Sequence, residues 1–423
     1  MAEIILSINA GSSSVKVSVY TFTPSSSSPP TSVADISIAG LTAPPVSLTY
    51  SRGGTSVAKN KKLDKISNAQ DAFAAILEHL TSDPELAQLQ HPDDVAFACH
   101  RIVHGGSYSK PTRIDSDTYH HLESLSALAP LHNAGALEIV KAVHASISKA
   151  TNIAFFDSAF HATIPAETRT YMIDPAKAKQ NGLRKYGFHG LSYAFIARSV
   201  ASHISKPLDQ LNIIALHLGS GASACAIVKG ESIDTTMGLT PLSGLPGATR
   251  SGDVDPSLIF HFTHDAGQPS PGSSQALHVT RAEEILNKES GWKALTGTTD
   301  FGTVSEKAAQ GDEAAKLAFD VFVGRLVAYI GSYFVTLGGE VDALVFAGGI
   351  GEHGGALREA VCQKVKCLGF ELDQDKNGKL GDEVVQDIGS SQVQGKRILV
   401  CKTDEQAEMA EQCAREANEL RRP

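Results

Sequence analysis

The chain has 423 residues, 42% hydrophobic and 20% charged, which suits two or three packed domains better than one. Lys and Arg number 37 against 46 Asp and Glu, a formal net charge of −9 that argues against a nucleic-acid binder. It leaves room for an anionic small substrate held by a few arginines in a cleft.

Residues 4–8 (IILSI) read as a strand; Glu3 precedes them and no basic stretch marks a signal peptide. A tight turn, Asn9-Ala10-Gly11-Ser12-Ser13-Ser14, leads into 15–20 (VKVSVY), whose strict alternation predicts an antiparallel hairpin. Residues 21–32 (TFTPSSSSPPTS) are Ser/Pro-rich and read as a flexible surface insertion, as does the similar stretch 267–274. Helical spacing of Ala69, Ala72, Phe73, Ile76, Leu77 and Leu80 behind Ser67 and Asn68 predicts a capped helix. Short apolar strands are expected at 95–99 and 153–156. A second strand–turn–strand follows in mid-chain: 213–218, then Gly219-Ser220-Gly221-Ala222-Ser223, then 224–228. The two similar units suggest a duplicated α/β architecture with a ligand between the halves, although such turns are common enough to coincide. The stretch 319–337, interrupted by Arg325 and Gly331, reads as a buried helix rather than a membrane span, and the protein as soluble and intracellular. Residues 343–347 form a strand before Gly348-Gly349-Ile350-Gly351, and 397–401 another. Thr403-Asp404-Glu405-Gln406 then looks like a capping box opening a terminal helix. The six cysteines include no C-x-x-C pair; they read as reduced thiols, with Cys99 and Cys401 in the core.

Phosphate binding needs backbone N–H groups in tight turns of small residues, and three such turns follow apolar strands here. None matches a Walker loop, and Lys16 lies in a strand. Arg101 in HRIVHGG (100–106) and Arg250 in GATRSGD (247–253) stand among glycines, where planar guanidinium forks can approach a phosphoryl group; each read alone is equally a surface ion pair. His100 and His104 are four apart but not on a helix, so both are expected to be hydrogen-bonded structural groups. His189, in YGFHG (186–190), is more constrained. Carboxylates for a hydrated magnesium are Asp157, after a buried strand, and Glu405; Asp157 is alternatively a helix cap.

Taken together, INAGSSS (8–14), HRIVHGG (100–106), APLHN (129–133), FDSAFH (156–161), YGFHG (186–190) and TRSGD (249–253) resemble the acetate kinases, in order from residue 4 to about 410. The resemblance implies the sugar-kinase/heat-shock/actin superfold, two related ribonuclease H-like domains with a cleft between them. One would be 1–157 plus 405–423 and the other 158–404, the latter carrying the nucleotide side and the homodimer interface. It further implies that Arg101, Arg250 and His189 stabilise the phosphoryl group in flight. Asn9, Ser12, Ser14 and Lys16 would lie along the phosphates, and Asn9, Asp157 and Glu405 near Mg2+ or Mn2+. ATP or ADP would also meet His217, Gly219, Ser220, Gly221, Asp300, Phe301, Gly349, Ile350 and Gly351. Val103, Leu131, Phe188 and Pro241 would form the apolar pocket for the methyl group of acetate, with His132 and His217 at the edge of the site.

A carboxylate is ionised at neutral pH, so no general base is needed. His189 is then a hydrogen-bond donor, transfer is in line without a phosphoenzyme, and the domains are expected to close over ligand. Four positions depart from the family pattern: Ser220 for Asn, Gly247-Ala248 for Met-Gly, Gly302 for Arg and His353 for Asn. All fall on the donor side, which leaves another nucleotide or pyrophosphate open beside ATP. The acceptor alternatives are propionate and butyrate, since a methylene changes selectivity by only about 1–3 kcal/mol. A non-catalytic nucleotide-binding module would not need the arginines, and a sugar kinase would need a base, a role Asp157 can fill.

Overall fold

The computed structural model describes residues 2–422 apart from Ser12, Ser25, Ser27, Ala43, 126–129, 263–267, 271–272, 274–278 and 392–395. It leaves aside the side chains of Pro130, Leu131, His132, Ala134 and Phe262. Half of the expected loop at 267–274 (267, 271–272 and 274) therefore lies outside the described residues. The chain divides into two compact units, Met1–Ala159 with Asp404–Pro423, and Phe160–Thr403.

The first unit is built on an eight-stranded sheet in the order β5-β4-β3-β2-β1-β6-β8-β7. Its strands are β1 (Glu3–Ala10), β2 (Ser14–Phe22), β3 (Thr31–Ala39), β4 (Ser47–Arg52), β5 (Thr55–Lys62), β6 (Val95–Ile102), β7 (Thr112–Arg113) and β8 (Thr151–Phe156). The first hairpin is present and tighter than the sequence suggests. Asn9 and Ala10 pair with Lys16 and Val15, leaving a short turn closed by Gly11 N–H on Ser14 O. The Ser/Pro-rich stretch is only partly a loop, because Thr21 and Thr31 pair and carry both of its ends into the sheet. Helices Ala69–Thr81, capped by Asn68, and Pro130–Ser146 cover one face, where Phe73, Ile76, Ile139 and Val143 join the core. Helix Glu405–Leu420 packs against β1 and β6. Its start is a plain cap: the Asp404 carboxylate accepts from Ala407 N–H, and position N3 holds alanine, which cannot complete a capping box.

The second unit carries a six-stranded sheet in the order β11-β10-β9-β12-β14-β13. The strands are β9 (Ile213–Leu218), β10 (Ala222–Val228), β11 (Glu231–Thr235), β12 (Ala343–Ala347), β13 (Val385–Asp387) and β14 (Arg397–Cys401). The strands β3-β2-β1-β6-β8 and β11-β10-β9-β12-β14 share one order and one sense. The first two pairings are antiparallel and the last two parallel. The two hairpins are thus corresponding parts of a duplicated ribonuclease H-like fold.

Helix Glu313–Thr336 is, among the described residues, the one helix long and apolar enough to cross a membrane. It is not buried all round, as the sequence reading expected. Phe322, Val323, Leu326, Ile330 and Tyr333 face the core, while Leu317, Val321 and Val335 are exposed. In each sheet the parallel strands end on a common edge, where open α/β sheets bind ligands.

Candidate active site

At that edge of the first unit, β1, β6 and β8 deliver Asn9, Arg101 and Asp157. The register Ile8↔His100 and Ile102↔Phe156 brings them side by side. Arg101 grips Asp157 with two prongs: Nη2 donates to Oδ2 at 2.7 Å and Nε to Oδ1 at 3.0 Å. Its Nη1 lies 2.8 Å from Glu405 Oε2 and 3.4 Å from Asn9 Oδ1. The Asn9 amide closes the ring by donating to the same Glu405 oxygen at 2.9 Å. Asp157 is 1% exposed, and Arg101 keeps 18% of its side chain in contact with solvent. Burial alone would lower the guanidinium, yet the charges of Asp157 and Glu405 outweigh it and hold the group above its ordinary value. Lys16 stands exposed across the hairpin from Asn9, and Ser14 closes that turn. Ser12 lies outside the described residues.

His100 and His104 are buried and hydrogen-bonded as expected. His100 Nε2 meets Asn152 Oδ1 at 2.8 Å, and burial pushes its pKa down to about 4. Asn133 fixes the backbone of His104 from both sides, at 3.0 and 2.9 Å. These contacts set the path of the chain between Arg101 and the glycines at 105 and 106.

In the second unit His189 sits at φ 59°, a left-handed backbone that a non-glycine residue rarely adopts, as the N-cap of helix Gly190–His203. Gly187, at φ 80°, makes the preceding turn, and a Cβ there would strike Thr235 and His161. His161, 2% exposed, holds the turn through Phe188 O at 2.9 Å. The His189 ring lies 4.2 Å, centroid to centroid, from His217 of β9. Gly221 is where His189 and Arg250 meet. A Cβ on Gly221 would lie 2.9 Å from Arg250 Nη1 and 3.7 Å from His189 Nε2. Burial lowers the Arg250 guanidinium. Its loop is tied in place by Gly247 N–H to Arg250 O, Ser251 N–H to Leu286 O and Gly244 N–H to Asp253 Oδ1.

A cavity of about 680 Å3 in this unit is lined by Gly219, Ser220, Asp300, Phe301, Gly349 and Ile350, together with Gly302 and His353. Gly351 is buried beside Phe346. The third glycine turn is in fact the start of a short helix, Gly348–His353. Gly348 takes φ 72°, and a Cβ there would lie 2.7 Å from the Leu218 carbonyl oxygen. Three of the four departures from the family pattern (Ser220, Gly302, His353) line this cavity. The fourth touches it indirectly, since Gly247 abuts the Ser220 carbonyl and Ala248 N–H donates to it at 2.8 Å.

Of the acyl-pocket residues, Val103 and Leu131 belong to the first unit and Phe188 and Pro241 to the second. The side chains of Leu131 and His132 lie outside the described residues. Sequence reasoning did not single out Ser223 and Tyr193, both fully buried, which stand behind His189. Their signal is faint: Tyr193 is four residues after His189 on one helix face, and Ser223 is the second residue of a strand.

The model of the acetokinase family matches residues 4–411. The chain belongs to the acetokinase family. It is a phosphotransferase with a carboxyl group as acceptor. A member from Emericella nidulans, named a probable acetate kinase, is 51% identical over 97% of each chain. The crystal structure of a propionate kinase from Francisella tularensis superposes with a TM-score of 0.83 at 33% identity, covering 97% of this chain and 98% of that one. The acetate kinase of Porphyromonas gingivalis superposes at 0.80 with 29% identity, covering 96% and 98%.

Proposed function

We propose that the protein is an acetate kinase that moves the terminal phosphoryl group of ATP to acetate, reversibly and in line. The observation that carries this is the convergence of Arg250 Nη1 and the His189 ring on the bare backbone at Gly221. A guanidinium and an imidazole beside exposed peptide groups suit the equatorial oxygens of a phosphoryl group in flight. Arg101 is assigned to the phosphoryl group on its motif. Acetate is already a nucleophilic anion, so His189 donates a hydrogen bond and abstracts no proton. The acyl group is assigned to Val103, Leu131, Phe188 and Pro241, and the phosphates to Asn9, Ser12, Ser14 and Lys16. The rest of the nucleotide is assigned to the cavity at Gly219–Gly221, Asp300, Phe301 and 349–351, with His217 beside it.

The donor set at Asn9, Asp157 and Glu405 is all oxygen, which fits Mg2+ or Mn2+. Magnesium typically takes one or two protein carboxylates and keeps several waters. Bound there, magnesium would neutralise phosphate charge; Arg101 meanwhile keeps both carboxylates oriented. A homodimer joined through the second unit, in the cytoplasm, completes the proposal.

A second reading, a different phosphoryl donor, rests on the departures clustered at the cavity. Acetyl phosphate trapped with hydroxylamine, from acetate and magnesium with ATP, GTP or pyrophosphate in parallel, decides between them. Signal with ATP, lost in Arg250→Ala, is the expected result. Signal with pyrophosphate alone would move the donor, and silence with every donor and with propionate and butyrate would end the proposal.

A further inference from the structure

Behind His189 lies a chain of hydrogen bonds whose direction can be worked out. Tyr193 is 0% exposed, one helical turn after His189, with its N–H on the His189 carbonyl at 3.0 Å. Burial holds its phenol well above the ordinary value, so the proton stays on. The nearby backbone amide of His217 opposes that shift but does not outweigh burial. The Tyr193 O–H needs an acceptor, and among the described residues Ser223 Oγ, 2.5 Å away, is the one within reach. Ser223 is itself fully buried, and its remaining neighbour is His189 Nδ1 at 2.8 Å. A serine hydroxyl that accepts from Tyr193 has one proton to give, and it goes to His189 Nδ1. Running the chain backwards would strand a buried O–H, a loss of about 1–3 kcal/mol.

We infer that Tyr193 and Ser223 are positioning residues that lock His189 as the neutral tautomer protonated on Nε2. Nε2 is the nitrogen that faces Gly221 and Arg250. The imidazole therefore presents an N–H, never a lone pair, to an anion there, and the same bonds fix its ring plane. The left-handed backbone at His189 and the helix that follows hold the ring against Ser223, so tautomer and aim are set by one arrangement. This rests on the assignment of His189 to the phosphoryl group, but the tautomer is observable without catalysis.

The test is nitrogen NMR of the whole protein labelled at histidine, with His189 assigned by loss of its signal in His189→Gln. The wild type should show Nε2 protonated and Nδ1 bare at neutral pH. Ser223→Ala should mix the tautomers and lower kcat roughly 10- to 100-fold, the range for losing a partner that orients a working group. KM for acetate and nucleotide should stay within about twofold, as for an interaction made in the transition state. Tyr193→Phe should do the same more weakly, and Ser223→Thr, which keeps the hydroxyl, should restore both readouts. A wild-type His189 protonated on Nδ1, or a Ser223→Ala protein with unchanged tautomer and kcat, overturns the inference. If His189→Gln keeps full activity while the NMR result holds, the assignment of His189 to the phosphoryl group fails instead.

Discussion

His161 Nε2 lies 2.9 Å from the carbonyl oxygen of Phe188, the residue next to His189. A carbonyl only accepts, so Nε2 carries the proton and Nδ1 accepts from the Ser232 hydroxyl at 2.7 Å. The ring that holds the His189 turn is neutral because it is buried. Burial pushes its pKa from 6.5 down to about 4.

Acid should loosen this turn before it unfolds the whole chain. Between about pH 6.5 and pH 4 the unfolded chain binds a proton at His161 that the folded one refuses, so stability falls as pH drops through that window. His100, also brought to about 4 by burial, acts with the same sign. At 1.36 kcal/mol per pKa unit, the two together amount to several kcal/mol, on the order of half a typical domain's stability. Urea midpoints measured from pH 7 to pH 4.5 should fall steadily, and His161→Gln should reduce the slope. A slope unchanged in that variant would mean His161 titrates normally.

The ion pair Arg101–Asp157 makes a prediction in which stability and activity part company. Asp157 is 1% exposed, so Arg101→Ala takes the guanidinium from a buried carboxylate and should cost about 3–5 kcal/mol. Adding Asp157→Leu removes the buried charge and should return most of that stability while activity stays lost. Urea unfolding of the two variants, with acyl-phosphate assays alongside, checks both halves. Recovery of activity in the double variant would show that the pair is structural only.

Much of this was legible beforehand, and the reasons differ by element. Both hairpins announced themselves through alternation and small-residue turns, and β12 and β14 through unbroken apolar runs. The meander β3–β5 was not read, although Ala34, Ile36 and Ile38, then Leu48 and Tyr50, alternate inward. The Ser/Pro run before it and the almost wholly exposed, Lys-bearing β5 mask that period. Arg101, His189 and Arg250 were readable as motifs. That Arg101 is held by Asp157 and Asn9 while Asn9 is tied to Glu405 depends on contacts 56, 92 and 396 residues apart along the chain, which no local pattern carries. Tyr193 and Ser223 were missed for the same reason, because a tyrosine on a helix and a serine in a strand become a hydrogen-bond chain only once the strand is laid beside the helix.

Gly221 and Gly247 separate two kinds of glycine. At Gly221 an added Cβ meets the end of the Arg250 side chain, 2.9 Å away, which can swing aside. Gly221→Ala should therefore fold normally and lose roughly 100-fold or more in kcat, as when one transition-state donor is displaced. At Gly247 the Cβ meets the Ser220 carbonyl at 2.6 Å, and backbone cannot swing. Gly247→Ala should be less stable by about 1–3 kcal/mol, as for overpacking elsewhere. Melting curves and kcat for both variants test the contrast. A Gly221→Ala enzyme with normal kcat would remove the convergence of Arg250 and His189 from the mechanism.

The cavity beside Ser220 and His353 tests the donor. Both residues are exposed on its lining, so replacing them should leave the fold alone. Asparagine at each position restores an amide that can donate and accept. If ATP occupies the cavity, Ser220→Asn with His353→Asn should lower its KM by about fivefold, near 1 kcal/mol for an added hydrogen bond. KM for acetate should not move, because the acyl group is assigned to other residues. Initial rates with each substrate varied in turn separate the two effects. A nucleotide KM that stays fixed, while pyrophosphate supports turnover in the same assay, would take the cavity away from adenosine and leave the phosphoryl clamp at Gly221 untouched.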